Sequence, residues 1–251
     1  MTDYNYESYG WALEQGAYER WLAEAPRLGE TAPDFSLADS DGVSYRLGDL
    51  RGRPVVLEFG SYTCPMFCDR IPQMEDLVVA HPEAAFLIVY SREAHPGERT
   101  GPHRTEADKL AAARTLVADE PLTRTVLVDD LDGTVHRAYG AVWDPVFVLD
   151  AAGRVVCRLA WNDPGKVATL LQGLRRDGQV EPLESVEMLR APSPQGFGHG
   201  LLRGGVRAVL DFYHAGPPGG RERLEASESA AVRATLRSSP EAGRPSEAEP
   251  T

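Results

Sequence analysis

Cysteine is scarce in this chain, with three in 251 residues. Three thiols cannot knit a domain of this size with disulfides, so each is either a small buried hydrophobe or a chemical group. Positive charge is also in short supply: Lys and Arg total 26 against 38 acidic residues, a net charge of -12. A field of that sign repels nucleic-acid phosphates and anionic lipid, so neither is an expected partner. No apolar run is long enough to span a bilayer. The opening Met1-Thr2-Asp3-Tyr4-Asn5-Tyr6-Glu7 lacks the basic start and apolar stretch of a secretory signal. The chain therefore reads as cytoplasmic. Its 42% hydrophobic and 25% charged residues suit one globular domain with some polar extra sequence.

Aromatic residues crowd into the start. Four of nine tyrosines and two of four tryptophans fall in residues 1–27, and Trp11, Leu13, Tyr18, Trp21 and Leu22 have helical spacing. This segment is expected to be a helix packed on the domain, with a homodimer surface as the sharper alternative. Residues 28–178 then read as one α/β domain. Two short runs about Asp39-Ser40-Asp41-Gly42 predict a hairpin. Pro54 to Phe59 is an apolar strand, and Gly60-Ser61-Tyr62-Thr63 turns it into a helix opened by Pro65. Ala84 to Tyr90 is near-continuously apolar, as in a sheet covered on both faces. A helix (105–118), a strand (125–129), a short helix (133–139), a hairpin about Ala151-Ala152-Gly153 and a helix capped by Asp163-Pro164 complete it. That order predicts an α/β thioredoxin-like fold with an added N-terminal helix and hairpin. Residues 179–215 are expected to form a C-terminal extension with one amphipathic helix through Leu201, Val209 and Phe212. Residues 216–251 have too few apolar side chains to offset ordering and are expected to be disordered.

Cys64 stands at the C-terminal end of a parallel strand and directly before a helix, where open α/β sheets place reactive groups. Unpaired helix N–H groups should lower its pKa from ~8.5 and favour thiolate. Cys68, four residues on, points toward the same sheet end and reads either as a resolving thiol or as a core cysteine. Cys157 sits within a hairpin strand and is expected to be inert.

Phe59-Gly60-Ser61-Tyr62-Thr63-Cys64-Pro65-Met66-Phe67 resembles the active-site segment of iodothyronine deiodinases, Phe-Gly-Ser-Cys-Thr-selenocysteine-Pro-Pro-Phe. Glu93-Ala94-His95-Pro96 and His103-Arg104-Thr105 resemble further elements of that family, and together the matches span about residues 50 to 178. The resemblance implies a thiol-dependent oxidoreductase in which Cys64 is the nucleophile of a reductive dehalogenation. Glu93 and His95 would correspond to a glutamate-histidine pair and His103 to a second histidine, used for substrate contact and proton supply. Independently of family, an imidazole near a thiol can stabilise thiolate or deliver a proton, and a carboxylate can orient that imidazole. No bound cofactor or metal is implied, only an external thiol reductant such as thioredoxin or glutathione and a small-molecule substrate, a halogenated aromatic or a peroxide. The departures are specific. Sulfur replaces selenium at Cys64, so deiodination should be slow or give way to related thiol chemistry. Tyr62 stands where the family has cysteine, Cys68 stands where the family has none, and the family's membrane anchor is not seen. By resemblance to the wider superfamily, Pro145 is a cis-proline candidate, with Asp144 near Cys64 and opposing thiolate.

Two other functions compete. Ala32-Pro33-Asp34-Phe35 looks like a peroxiredoxin start, but the threonine such enzymes carry three residues before the cysteine is Ser61 here. Cys64 and Cys68 also have the C-x3-C spacing of copper-delivery thioredoxin folds. Those need a distal histidine where this chain has Val142-Trp143-Asp144-Pro145, so the ligand set is incomplete.

Overall fold

A computed structural model describes residues 4–10, 13, 15–188, 193–216, 232–234 and 237. Eight strands form one sheet in the order β2-β1-β5-β4-β3-β6-β7-β8, where β1 is Ser36–Asp39, β2 Ser44–Arg46, β3 Val55–Gly60, β4 Ala85–Tyr90, β5 Thr125–Val128, β6 Val146–Leu149, β7 Val155–Leu159 and β8 Leu183–Ser185. The central strands β3 and β4 pair in parallel, from Val55 opposite Ala85 to Gly60 opposite Tyr90. Both are buried along their whole length, which explains their unbroken apolar runs. Helix α2 (Pro65–Ala80) links β3 to β4 and α3 (Glu106–Asp119) links β4 to β5. After the short α4 (Thr134–Ala138), β6 joins β3 antiparallel, β7 follows as a hairpin and α5 (Pro164–Asp177) closes the unit. This is the thioredoxin-like arrangement that the order of elements predicts. The N-terminal hairpin β1–β2 extends the sheet on the β5 side.

Two cores flank the sheet. One gathers Trp21, Phe59, Phe67, Ile71, Tyr139 and Phe147, and the other Val56, Met74, Val148, Cys157, Leu171 and Leu174. The N-terminal helix α1 is shorter than its spacing suggests, Ala17–Glu24, and Trp11 lies outside the described residues. It is anchored by Trp21, fully buried against Phe147 and under the Arg158 guanidinium.

Residues beyond 178 depart from expectation. A strand, β8, adds in parallel to β7. The single amphipathic helix expected around Leu201 to Phe212 is two helices, α6 (Pro194–Gly204) and α7 (Val206–Ala215). Gly205, at φ 112, breaks the helical path in a conformation that side-chain-bearing residues rarely adopt. A third core then forms from Tyr6 and Tyr9 of the N-terminal arm with Phe197, Leu201, Val209 and Phe212. Helix α6 lies so close on α2 that a Cβ at Gly200 would come within 2.7 Å of the Pro65 Cα. The expected disordered tail, 216–251, lies outside the described residues but for 216, 232–234 and 237.

Candidate active site

The turn Ser61-Tyr62-Thr63 ends β3 and leaves Cys64 as the N-cap residue of α2, with Pro65 in the first turn. The C-terminal ends of β3 and β4 open side by side, so the loop after β4 folds directly onto this turn. Ala94 N donates to Ser61 Oγ at 3.1 Å and His95 N donates to Thr63 Oγ1 at 3.0 Å. A short polar turn residue on each side of Tyr62 is therefore what seats the Glu93-Ala94-His95 loop.

Glu93 is the hub. One carboxylate oxygen accepts from Thr63 N at 2.9 Å and from Thr63 Oγ1 at 2.6 Å, and the other accepts from the Tyr90 hydroxyl and from His103 Nε2 at 3.2 Å. Burial alone would raise its pKa, but the hydrogen bonds and charge of His103, with those of Thr63 and Tyr90, outweigh it and hold the carboxyl below its ordinary value. Burial, and after it the same carboxylate, push the Tyr90 hydroxyl well above its usual range, so Tyr90 stays a donor. His103 Nδ1 has no protein partner. Glu93 thus fixes His103 through Nε2 and leaves the opposite nitrogen of the ring unbound.

The expected pairing of Glu93 with His95 is corrected by this geometry: the histidine bonded to Glu93 is His103. The His95 ring instead lies against Tyr9, at 4.4 Å between centroids, and Phe212, at 5.5 Å. Burial pushes its pKa down to about 3, so it is neutral at physiological pH, and its Nδ1 has no partner. The loop could wrap the turn this way because an aromatic wall from the N-terminal arm and α7 receives the His95 ring.

Cys64 is 2% exposed. The expected depression of its pKa is overturned. Burial, and after it the charge of Asp144, raise the thiol well above its ordinary value, and the Phe67 and Met66 amides at the helix start lower it only in part. Asp144 is fully buried, bonds Arg70 of α2 at 3.1 Å and has an unpartnered Oδ1. Pro145 is not a cis-proline, since the described residues contain no cis peptide bond. A trans bond carries the chain straight into β6, where Pro145 O accepts from Phe59 N at 3.0 Å and extends the ladder with β3.

Cys68 lies on the second side of the turn. Its Sγ is 3.4 Å from Tyr62 O and 2.8 Å from Nη1 of Arg203, a residue of α6. All three cysteines are free, and Cys157 is buried in β7, away from the turn. The Tyr62 hydroxyl donates to Asp119. Among the described residues no group of three or more His, Cys, Asp or Glu side chains is placed to hold a metal ion, so the copper ligand set is not assembled. A surface hollow of about 420 Å³ beside the site is lined by Tyr62, Arg99, His103, Arg104, Asp108 and Ala112, among others.

A model of the iodothyronine deiodinase family matches residues 10–159. The chain belongs to the iodothyronine deiodinase family. It is 31% identical over 139 residues to the thyroxine 5-deiodinase of Sparus aurata, covering 50% of this chain and 52% of that one. It is 32% identical over 146 residues to the type I iodothyronine deiodinase of Xenopus laevis, covering 54% of this chain and 57% of that one. The deiodinase-like chain thus spans about half the length of the curated relatives it matches. Its fold is shared with the crystal structure of an uncharacterised conserved protein from Geobacillus kaustophilus, at 19% identity and a TM-score of 0.51 over 62% of this chain and 85% of that chain.

Three residues of this deiodinase-like site were missed by sequence reasoning. Tyr90 reads as the last residue of a buried strand, and only its place three residues before Glu93 hints at a polar task. Arg203 lies far down the chain with no local motif. Tyr6 carries a hydroxyl that donates to Ala94 O at 2.7 Å and accepts from Trp143 Nε1 at 3.0 Å. His136 is fully buried, with the Tyr4 hydroxyl on Nδ1 at 2.8 Å and Val142 O on Nε2 at 2.6 Å. Among the described residues no helix is long and apolar enough to cross a membrane.

Proposed function

We propose that this chain is a thiol-dependent reductive dehalogenase acting on a halogenated aromatic molecule, with Cys64 as nucleophile and His103 as the proton-delivering group. The observation that carries this reading is the single carboxylate of Glu93, which holds both the residue before the nucleophile, Thr63, and the imidazole of His103. Nucleophile turn and proton source are thereby fixed to one buried anchor. The names of the relatives specify thyroxine and iodothyronines, which are halogenated aromatics, and family membership supports reading the substrate of this chain as of that class.

The chemistry balances with sulfur as the electron source. The Cys64 sulfur attacks the halogen, the carbon–halogen pair goes to carbon, and carbon takes a proton through His103, leaving a sulfenyl halide on Cys64. A thiol then attacks Cys64 Sγ, releasing halide and forming a disulfide, which an external thiol reductant returns to the dithiol state. Burial and the Asp144 charge raise the Cys64 thiol, so little thiolate stands ready in the closed site. Less of a thiol than of a selenol is ionised, so the rate should be modest.

The test is single-turnover reduction of an iodinated phenol by wild type, Cys64→Ser and His103→Gln, each shown to be folded. Cys64→Ser should be inactive, and His103→Gln should lose roughly 10²-fold or more, the usual size of a positioned acid contribution. Full activity in His103→Gln would remove the deiodinase-type mechanism and leave peroxide reduction by Cys64 as the better reading.

A further inference from the structure

Cys68 has a setting that an incidental core cysteine would not need. Its N–H donates to Cys64 O at 3.0 Å, so the two residues lie one helical turn apart. A rise of about 6 Å over four residues falls inside the window of about 4.4–6.8 Å that a disulfide requires between Cα atoms. Its side chain runs back toward the helix N-terminus, with Sγ 3.4 Å from Tyr62 O and 3.9 Å from Ser61 O, the turn that carries Cys64. Meeting it there is a cation from a distant part of the chain. The Arg203 side chain, from α6, is 8% exposed, places Nη1 2.8 Å from Cys68 Sγ and 3.4 Å from Tyr62 O, stacks over the Tyr62 ring at 4.6 Å and bonds Glu120 through Nη2. Its Nε, also buried, has no partner. A guanidinium buried against a sulfur is much better matched to a thiolate than to a thiol.

We propose that Cys68 is the resolving thiol for Cys64 and that Arg203, supplied by the C-terminal extension, stabilises the thiolate that its sulfur forms in that attack. The proposal rests on the reading that Cys64 is the reacting sulfur. In the step, the Cys68 thiolate attacks Cys64 Sγ, the sulfur–sulfur bond forms, and the sulfur–halogen pair leaves as halide. The Cys68 proton is released to solvent, and two equivalents of an external thiol later reduce the disulfide. Where Cys64 has instead been oxidised by peroxide to a sulfenic acid, the same attack releases water. Arg203 is a positioning residue here, acting through Cys68. The charges facing Cys68 are Arg203 from α6, Glu120 at the end of α3, Glu93 from the loop after β4 and Asp144 ahead of β6. Burial pushes the Cys68 thiol up to about 12, and of these charges only Arg203 opposes that rise.

The experiment treats the reduced full chain with stoichiometric iodinated phenol and, in a separate arm, with stoichiometric hydrogen peroxide. Samples are quenched over time across pH 6 to 9, and a Cys64–Cys68 disulfide and a dimedone-trapped Cys64 are quantified by peptide mapping. Wild type should give the disulfide. Cys68→Ser should accumulate trapped Cys64, keep its first turnover and lose later ones. Arg203→Gln should slow disulfide formation tenfold or more and move its pH dependence upward, and Arg203→Lys should recover much of the rate. A wild type whose Cys64 is trapped by dimedone without any Cys64–Cys68 disulfide overturns the proposal, as does Arg203→Gln at the wild-type rate and pH profile. Reaction with peroxide but not with the iodinated phenol removes the dehalogenase reading while the peroxide arm still reports resolution. No modification of Cys64 in either arm removes both.

Discussion

At the scale of single residues, the site places a neutral histidine, His95, two residues from an ionised carboxylate, Glu93, and their pH signatures separate. His95 is depressed to about 3 by burial, with the Glu93 charge opposing. The unfolded chain takes up that proton near 6.5 and the folded one does not, so the stability His95 supports is complete above about 6.5 and is lost as pH falls toward 3. At pH 5 the loss from this residue is about 2 kcal/mol, at 1.36 kcal/mol per unit. Glu93 works in a lower window: its depressed carboxyl adds stability above the ordinary glutamate value and surrenders it only as pH falls through the folded pKa. Urea unfolding of wild type and His95→Phe at pH 7 and pH 5 reads the difference. The variant, which also removes an unpartnered buried Nδ1, should lose about 2 kcal/mol less on acidification. Equal losses in the two proteins would mean that His95 titrates freely.

At the scale of elements, the two added helical pieces are held by few side chains, and each can be tested by one change. Trp21 is fully buried against Phe147, so Trp21→Ala should cost about 3–5 kcal/mol in chemical denaturation, the range for truncating a large buried aromatic. A cost under 1 kcal/mol would show that α1 docks weakly. Gly200→Val places a branched side chain against the Pro65 backbone, which can yield only by moving α6 away. Destabilisation of about 1–3 kcal/mol and faster alkylation of Cys68 are expected; unchanged Cys68 labelling would show that α6 does not control access to it. These elements also mark where sequence reading reached its limit. The runs Val55 to Phe59 and Ala85 to Tyr90 announce buried parallel strands because both faces are covered, and the Cys64-Pro65 helix start is a local signal. The partners of Glu93 and Cys68 are not local. Thr63 lies 30 residues from Glu93, and Arg203 lies 135 residues from Cys68, brought in by a helix pair whose break at Gly205 leaves no mark in hydrophobic periodicity. The same periodicity that identified an amphipathic surface on residues 201–212 could not say that this surface meets Tyr6 and Tyr9.

At the scale of the whole molecule, the N-terminal arm and helices α6 and α7 meet beside the candidate site. The arm bearing Tyr4, Tyr6 and Tyr9 and the helices α6 and α7 share one apolar cluster, and His95 sits between Tyr9 and Phe212 at its base. Tyr6 ties the arm to the Glu93-Ala94-His95 loop through Ala94 O, and Trp143, the residue before Asp144, donates to the same hydroxyl. With Cys64 2% exposed, a substrate of aromatic size reaches the sulfur only when this cover opens, an excursion with its own free-energy cost. Opening would also return water to Cys64 and relieve the burial that raises its pKa, so access and thiolate formation are coupled. Replacing both Tyr6 and Tyr9 by alanine removes the Tyr6 hydrogen bonds to Ala94 and Trp143 and the Tyr9 ring contacts with His95 and Phe212, while neither residue belongs to the two main cores. Iodoacetamide labelling of Cys64, followed by peptide mass spectrometry, should then accelerate tenfold or more, with buried Cys157 unchanged as the internal reference. If the doubly substituted protein remains folded by circular dichroism and Cys64 still labels at the wild-type rate, the arm is not the cover. Access would then have to come from movement of α6 or of the Tyr62 side, where the hydroxyl is held by Asp119.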